Sequence, residues 1–230
     1  MSAHRESTYP DAYQPAGRLV PVLSGSGGAD AVSLALRMAR FAVSQGETVL
    51  LLDGRDGELM DKAGIVYART LSDAVRGDCA LRDCLYVTAN EHFSASALGD
   101  MPLHDAVGTF ASLSLDYDWV FAVPQMGLSQ AVARLAAASD AAVVAFESER
   151  DLFMRAYWII DAIRARNPRF DPHTVSYGAR EDAVESALLL DATVRDHLGG
   201  SPVYSGHESD RDRVETLLQS MRDRTARRAA

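Results

Sequence analysis

The sequence predicts an α/β domain in which a mostly parallel sheet is flanked by helices on both faces. Short, continuous apolar runs recur along the chain at 19–23, 49–52 and 119–123, as strands covered on both faces require. Segments with helical apolar spacing alternate with them, an order that specifies a parallel sheet closed by right-handed crossovers. At 230 residues, with 47% hydrophobic and 24% charged residues, the chain is long enough to bury one such core.

Residues 1–17 are polar and contain proline, and read as a flexible tail. The domain is expected over 18–224, with a basic tail at 225–230. The first strand is 19–23, followed by a helix at 29–44 with Leu34, Met38, Ala39 and Phe41 on one side. A strand at 49–52, a short helix at 71–75, a strand at 85–88 and a helix at 103–113 come next. The second half reads as strand 119–123, helix 129–138, strand 141–146, helix 152–166, a weaker strand 174–177 and helices 181–197 and 211–224. No internal repeat interrupts this order.

The turn between the first strand and first helix is Ser24-Gly25-Ser26-Gly27-Gly28-Ala29-Asp30-Ala31-Val32-Ser33. Strand, glycine turn and helix aim backbone amides and a helix N-terminus at a phosphate. A working phosphate loop also needs a Lys for the β- and γ-phosphates and a hydroxyl for magnesium. Ala31 and Val32 stand at those two places. The glycines also have a plainer reading, as a tight strand-to-helix turn.

These residues resemble the MinD/ParA family of deviant Walker-A ATPases, whose loop runs S-G-K-G-G-V-G-K-T-T. In that resemblance Ser26 replaces the signature Lys, Asp30 a Gly, Ala31 the Walker Lys and Val32 the magnesium-binding Thr. The run from Gly46 to Asp53 is similar to the family's second strand, and its D-A-D reads Asp53-Gly54-Arg55. The stretch from Thr70 to Asp78 with Leu81-Arg82-Asp83-Cys84-Leu85 resembles T-L-x-D-V-x-x-G-x-x-x-L-x-D, most closely in the FlhG/FleN branch, which sets flagellar number and position. From Tyr117 to Gly127 the chain parallels Y-D-Y-I-L-I-D-T-P-A-G, with Val123 at the Walker-B Asp. Residues 147–163 resemble E-P-T-S-I-T-D-A-Y-x-x-I-K. The likeness spans roughly 18–220 and implies a three-layer P-loop-NTPase-like fold.

The replacements imply lost nucleotide chemistry. One unit charge at about 4 Å is worth ~4 kcal/mol at an effective dielectric of 20. Removing two cations and adding Asp30 beside a polyanion therefore amounts to several orders of magnitude in affinity. Val32 and Val123 also remove oxygen donors that magnesium needs. The expectation is no catalytic residue, no metal and no cofactor, with Gly25, Ser26, Gly27, Gly28, Asp30, Ala31, Val32, Asp53 and Val123 marking the degenerate site. The alternative is a weak ATP-binding switch held by the remaining backbone amides.

The last helix carries Val214, Leu217, Leu218 and Met221 at i, i+3, i+4 and i+7, one apolar stripe among arginines. Such a stripe covers a sheet as its final helix, or forms a basic amphipathic anchor for membrane or an acidic partner. In the second reading the contact residues are Val214, Leu217, Leu218, Met221, Arg222 and Arg224.

A formal net charge of −9 argues against non-specific nucleic-acid binding, which needs a basic face. No run approaches the ~18 apolar residues of a membrane span, and the N-terminus lacks the apolar region of a signal peptide. The expected location is cytoplasmic, peripheral to the inner membrane or at a cell pole. Cys79 and Cys84 lack the further ligands of a zinc site and read as reduced packing residues. The six histidines are scattered. Ser26 does not have the spacing of a nucleophile elbow. Asp116 and Asp118 read as a solvated turn rather than a carboxylate pair. Glu147, Glu149 and Asp151 suit the N-terminus of the next helix, on which Phe153, Tyr157 and Trp158 read as core, with an exposed hot spot as the alternative.

The function expected from the resemblance is a non-catalytic regulator or scaffold that controls placement or number of a polar machine, most specifically the flagellum. It would bind protein partners and self-associate, with at most weak peripheral membrane contact. The D-Q-A-x-x-L-R motif by which some FlhG members stimulate a GTPase is missing from the N-terminal tail. Other readings are an active ATPase of the same class, a pilus-localisation protein of the TadZ/CpaE sort and a polysaccharide-export regulator.

Overall fold

The computed structural model describes residues 17–27, 29–88, 91–101, 109, 112–113, 115–149 and 152–229, with side chains as far as Asp223. The tail at 1–17 and the helix expected at 103–113 fall largely outside these residues.

Eight strands form one sheet: β1 (Arg18–Ser24), β2 (Val49–Asp53), β3 (Tyr86–Val87), β4 (Ser94–Ala97), β5 (Trp119–Val123), β6 (Val143–Glu147), β7 (His173–Tyr177) and β8 (Val203–His207). Their order is β3-β4-β2-β5-β1-β6-β7-β8. All neighbours are parallel except β3 and β4. The helices are α1 (Ala31–Ser44), α2 (Glu58–Lys62), α3 (Leu71–Arg76), α4 (Gln130–Ala138), α5 (Phe153–Arg164), α6 (Arg180–Leu198) and α7 (Arg213–Ala229), with a 3₁₀ turn at Leu81–Cys84.

Alternation along each strand sends side chains to two cores. Val49, Leu51, Trp119, Phe121, Val123, Val143, Ala145 and Val175 pack with α1, α2 and α7. Leu50, Leu52, Val120 and Ala122 face α3 and α4, while Val144 and Phe146 face α4, α5 and α6. The result is the three-layer α/β architecture expected from the sequence.

Three elements were not anticipated. Strand β4 is Ser-Ala-Ser-Ala, with little intrinsic β-propensity, and it forms because β2 offers a complete parallel edge. Strand β8 is a bulged edge strand, and α2 is one short turn beyond β2. The strand expected at 85–88 contracts to β3. Helix α1 begins two residues later than expected because Asp30 is its N-cap. Helix α7 runs past 224 to Ala229.

The apolar stripe of α7 is buried. Leu217 and Leu218 are fully enclosed and Val214 and Met221 nearly so, packed in the same cluster as α1. This corrects the reading of these four residues as a membrane or partner contact: the helix spends its apolar face on its own sheet layer. Arg222 pairs with Glu47 at 2.6 Å and lies 5.7 Å from the Trp119 ring centre. The Arg224 side chain lies outside the described residues. A second correction concerns α5: Phe153 is core, but Trp158 is 54% exposed.

Candidate functional site

The glycine turn leaves β1 at the carboxyl edge of the sheet, where open α/β folds place ligands. Ser24 Oγ donates to the Ser26 carbonyl at 2.5 Å, which folds the chain back at once. Gly25 sits under α5, whose Arg155 Nη1 donates to the Gly25 carbonyl at 3.2 Å. A Cβ at Gly25 would lie 2.8 Å from Arg155 Cβ, so this glycine is required by close approach. Ser26 is buried and Gly27 exposed; Gly28 lies outside the described residues.

Asp30 then closes the helix end. Its Oδ1 accepts the Ser33 amide at 2.8 Å and its Oδ2 the Ser33 hydroxyl at 2.6 Å. Its carbonyl accepts from Tyr177 Oη at 3.1 Å. A carboxylate is favoured here because the first-turn amides and the helix dipole attract negative charge. The chain's own acid thus sits where the helix end would otherwise meet an anion.

That acid is not left uncompensated. Lys62, the single lysine of the chain, reaches from the end of α2 and places Nζ 2.7 Å from Asp30 Oδ2. Burial by itself raises the Asp30 pKa, but Lys62 and the Ser33 hydroxyl and amide outweigh it and hold the group below its ordinary value. Lys62 therefore offsets part of the repulsion that the added anion would present to a phosphate. Sequence reasoning missed this pair, although a lone lysine in a chain so rich in arginine was a signal.

Asp53 holds the element that delivers Lys62. It is buried at the end of β2, and its carboxylate accepts the amides of Arg55 at 2.7 Å, Leu59 at 3.0 Å and Met60 at 3.1 Å. Burial pushes its pKa up against the lowering by these amides. Arg55 donates to Glu58 at 3.2 Å and to the Pro124 carbonyl at 3.4 Å, tying α2 to the end of β5. Gly54 lets the two strand ends meet: its amide donates to the Val123 carbonyl at 2.8 Å, and a Cβ would lie 3.0 Å from that oxygen.

The positions matched to the Walker Lys, the magnesium Thr and the Walker-B Asp are brought together. Ala31, Val32 and Val123 are each fully buried in one apolar cluster with Val22, Leu34 and Leu59. A cavity of about 530 Å³ opens farther along the same sheet edge, lined by Gly54, Leu98, Asp100, Pro124, Ser129 and Val132.

Asp118, by contrast, has a structural role. It accepts the Thr48 amide at 2.7 Å and its hydroxyl at 2.8 Å, joining two strand entrances. Among the described residues, no three His, Cys, Asp or Glu side chains are grouped to hold a metal.

No family model matches the sequence, and no curated protein matches it. Solved structures do. The septum site-determining protein MinD of Pyrococcus horikoshii, complexed with Mg-ADP, is 18% identical, with a TM-score of 0.67, covering 88% of this chain and 86% of that one. A chain of the MinC:MinD cell division protein complex of Aquifex aeolicus is 15% identical, with a TM-score of 0.66 and coverage of 92% of this chain and 95% of that one. A plasmid partition protein from Borrelia burgdorferi is 14% identical, with a TM-score of 0.63 and coverage of 90% and 98%. The chain has the fold of the MinD/ParA P-loop ATPases, shared with proteins of cell division and plasmid partition.

Proposed function

We propose that this chain is a non-catalytic protein of the MinD/ParA fold that works by binding other proteins in the placement of a cellular machine. The observation that carries this reading is the capped end of α1, where Asp30 takes the Ser33 amide and hydroxyl and Lys62 pairs with Asp30. A triphosphate would have to displace a carboxylate from the helix end and separate an ion pair. It would then find hydrocarbon at Ala31, Val32 and Val123, where phosphate, metal and attacking water need polar groups. Neither Mg-ATP nor another nucleotide is a cofactor in this reading, and no residue is assigned a catalytic role.

Protein partners are favoured by apolar side chains left on the surface: Met126 and Leu128 after β5, Trp158 on α5, and Val184, Leu188 and Leu189 on α6. The flagellum is the most specific target, from the resemblance over Thr70 to Leu85. Pilus-localisation and polysaccharide-export roles belong to the same class of regulator. A location in the cytoplasm or at a pole accords with this reading. Among the described residues no helix is long and apolar enough to cross a membrane.

Isothermal titration of the chain with Mg-ATP and Mg-ADP tests the proposal. The expected result is no saturable heat at millimolar nucleotide and no phosphate release. Micromolar binding with turnover would overturn it. Binding without turnover would move the protein to the ATP-switch reading.

A further inference from the structure

Cys79 and Cys84 are both free thiols, and their Sγ atoms lie 3.3 Å apart. That separation is about 1.3 Å longer than a disulfide bond, so modest side-chain movement joins them. The 3₁₀ turn at Leu81–Cys84 folds the chain back between them, and Asp83 fastens the turn by accepting the Ala80 amide at 3.2 Å. Cys79 is half-buried and reaches solvent, whereas Cys84 is buried with its thiol donating to the Thr70 carbonyl at 2.9 Å. We propose that Cys79 and Cys84 are a thiol-modification site that closes to a reversible intrachain disulfide when it meets a small-molecule disulfide.

The two thiols have different parts. Burial, with Cys79 alongside, pushes the Cys84 thiol up, so the accessible Cys79 thiolate attacks first. It displaces one thiolate from the small disulfide and leaves a mixed disulfide on Cys79. Cys84 then gives up its proton to solvent and attacks the Cys79 sulfur, expelling the second small thiolate. Two protein thiols are oxidised by two electrons, and the small disulfide is reduced to two thiols that carry the two protons.

Closure also removes the Cys84 donor from Thr70, the N-cap of α3. Helix α3 is tied to the cavity wall, because Ser72 donates to Asp100 at 2.5 Å and its amide to the Leu98 carbonyl at 3.1 Å. The thiol pair and the cavity wall are thus both fastened to the start of α3.

The reduced full-length chain is incubated with glutathione disulfide, trapped with N-ethylmaleimide and weighed intact. The expected product has lost two hydrogens, takes up no maleimide and returns to two reactive thiols with dithiothreitol. C84S should stop at a glutathione adduct on Cys79, and C79S should remain unmodified. A wild-type chain that keeps the glutathione adduct, forms bonds between chains, or takes up maleimide like the untreated protein would overturn the proposal.

Discussion

Lys62 Nζ lies 2.7 Å from the carboxylate of Asp30, joining residues 32 positions apart across the mouth of the glycine turn. The pair is about one-third exposed on each side, so its own contribution to stability is modest. A double-mutant cycle of K62M with D30N is expected to give a coupling of about 0.2–1 kcal/mol, shrinking in high salt. Urea unfolding at low and high salt measures it.

The same pair sets a pH window. Asp30 is held below its ordinary 3.8 because Lys62 and Ser33 outweigh the burial that raises it. Its contribution is therefore complete above that value and lost as pH falls through the lower, folded one. Lys62 is held above its ordinary 10.5 because Asp30 and Glu58 outweigh the burial that lowers it. Its contribution is complete below 10.5 and lost as pH rises through the folded value. The stability gap between wild type and K62M should be flat across neutral pH and close at both extremes. A gap that widens in acid would contradict the assignment.

Asp30 has a second task as N-cap, which D30N largely retains and D30A does not. D30A is expected to cost about 1 kcal/mol more than D30N, the ordinary worth of a cap. Chemical denaturation of the two variants side by side checks this.

Restoring Walker side chains singly should harm the fold. A31K and V123D each insert an ionisable group into the apolar cluster around Val22 and Leu59. A loss of more than about 3 kcal/mol, or failure to accumulate folded protein, is expected. Unchanged melting of either variant would show that these positions reach solvent.

In the same apolar layer, L218A should cost about 2–5 kcal/mol, as for a Leu fully enclosed in a core. The intact chain should not sediment with anionic vesicles through the α7 stripe. Vesicle binding by wild type that L218A abolishes without unfolding would return the stripe to the surface.

Arg164 is a buried anchor: it pairs with Asp171 at 2.5 Å and donates to the Phe170 and Leu198 carbonyls, both at 3.2 Å. A Cβ at Gly200 would fall about 2 Å from its guanidinium. R164A should lose about 1–3 kcal/mol, the cost of leaving the Phe170 and Leu198 carbonyls without their donor, since Asp171 is about one-third exposed, and G200A should be destabilised by displacing the same group. Thermal melts of both variants decide it.

Strands whose apolar runs are self-contained were legible from sequence: β5 matches its expected bounds, and β1, β2 and β7 differ by a residue or two. The misses share one cause. Strand β4 is built of serine and alanine, and β8 mixes tyrosine, serine, glycine and histidine, so neither announces itself without the neighbour that pairs with it. Trp158 shows the converse, since helical spacing places it on a face but not on the packed side of that face. At the site, the motif comparison located Ala31, Val32 and Val123, but nothing local linked Asp30 to α2.

What the amino-acid order determined by itself was the alternation of strand and helix, the glycine turn, and hydrocarbon at three positions where the resembling family is polar. These follow from side-chain type and spacing, forces that act within a few residues. Tertiary structure alone decided that Asp53 would cap α2 and so carry the only lysine to Asp30. It also decided that the α7 stripe would be used up on α1. Both outcomes depend on which distant segments are pressed together, and packing energy between layers, not local propensity, makes that choice.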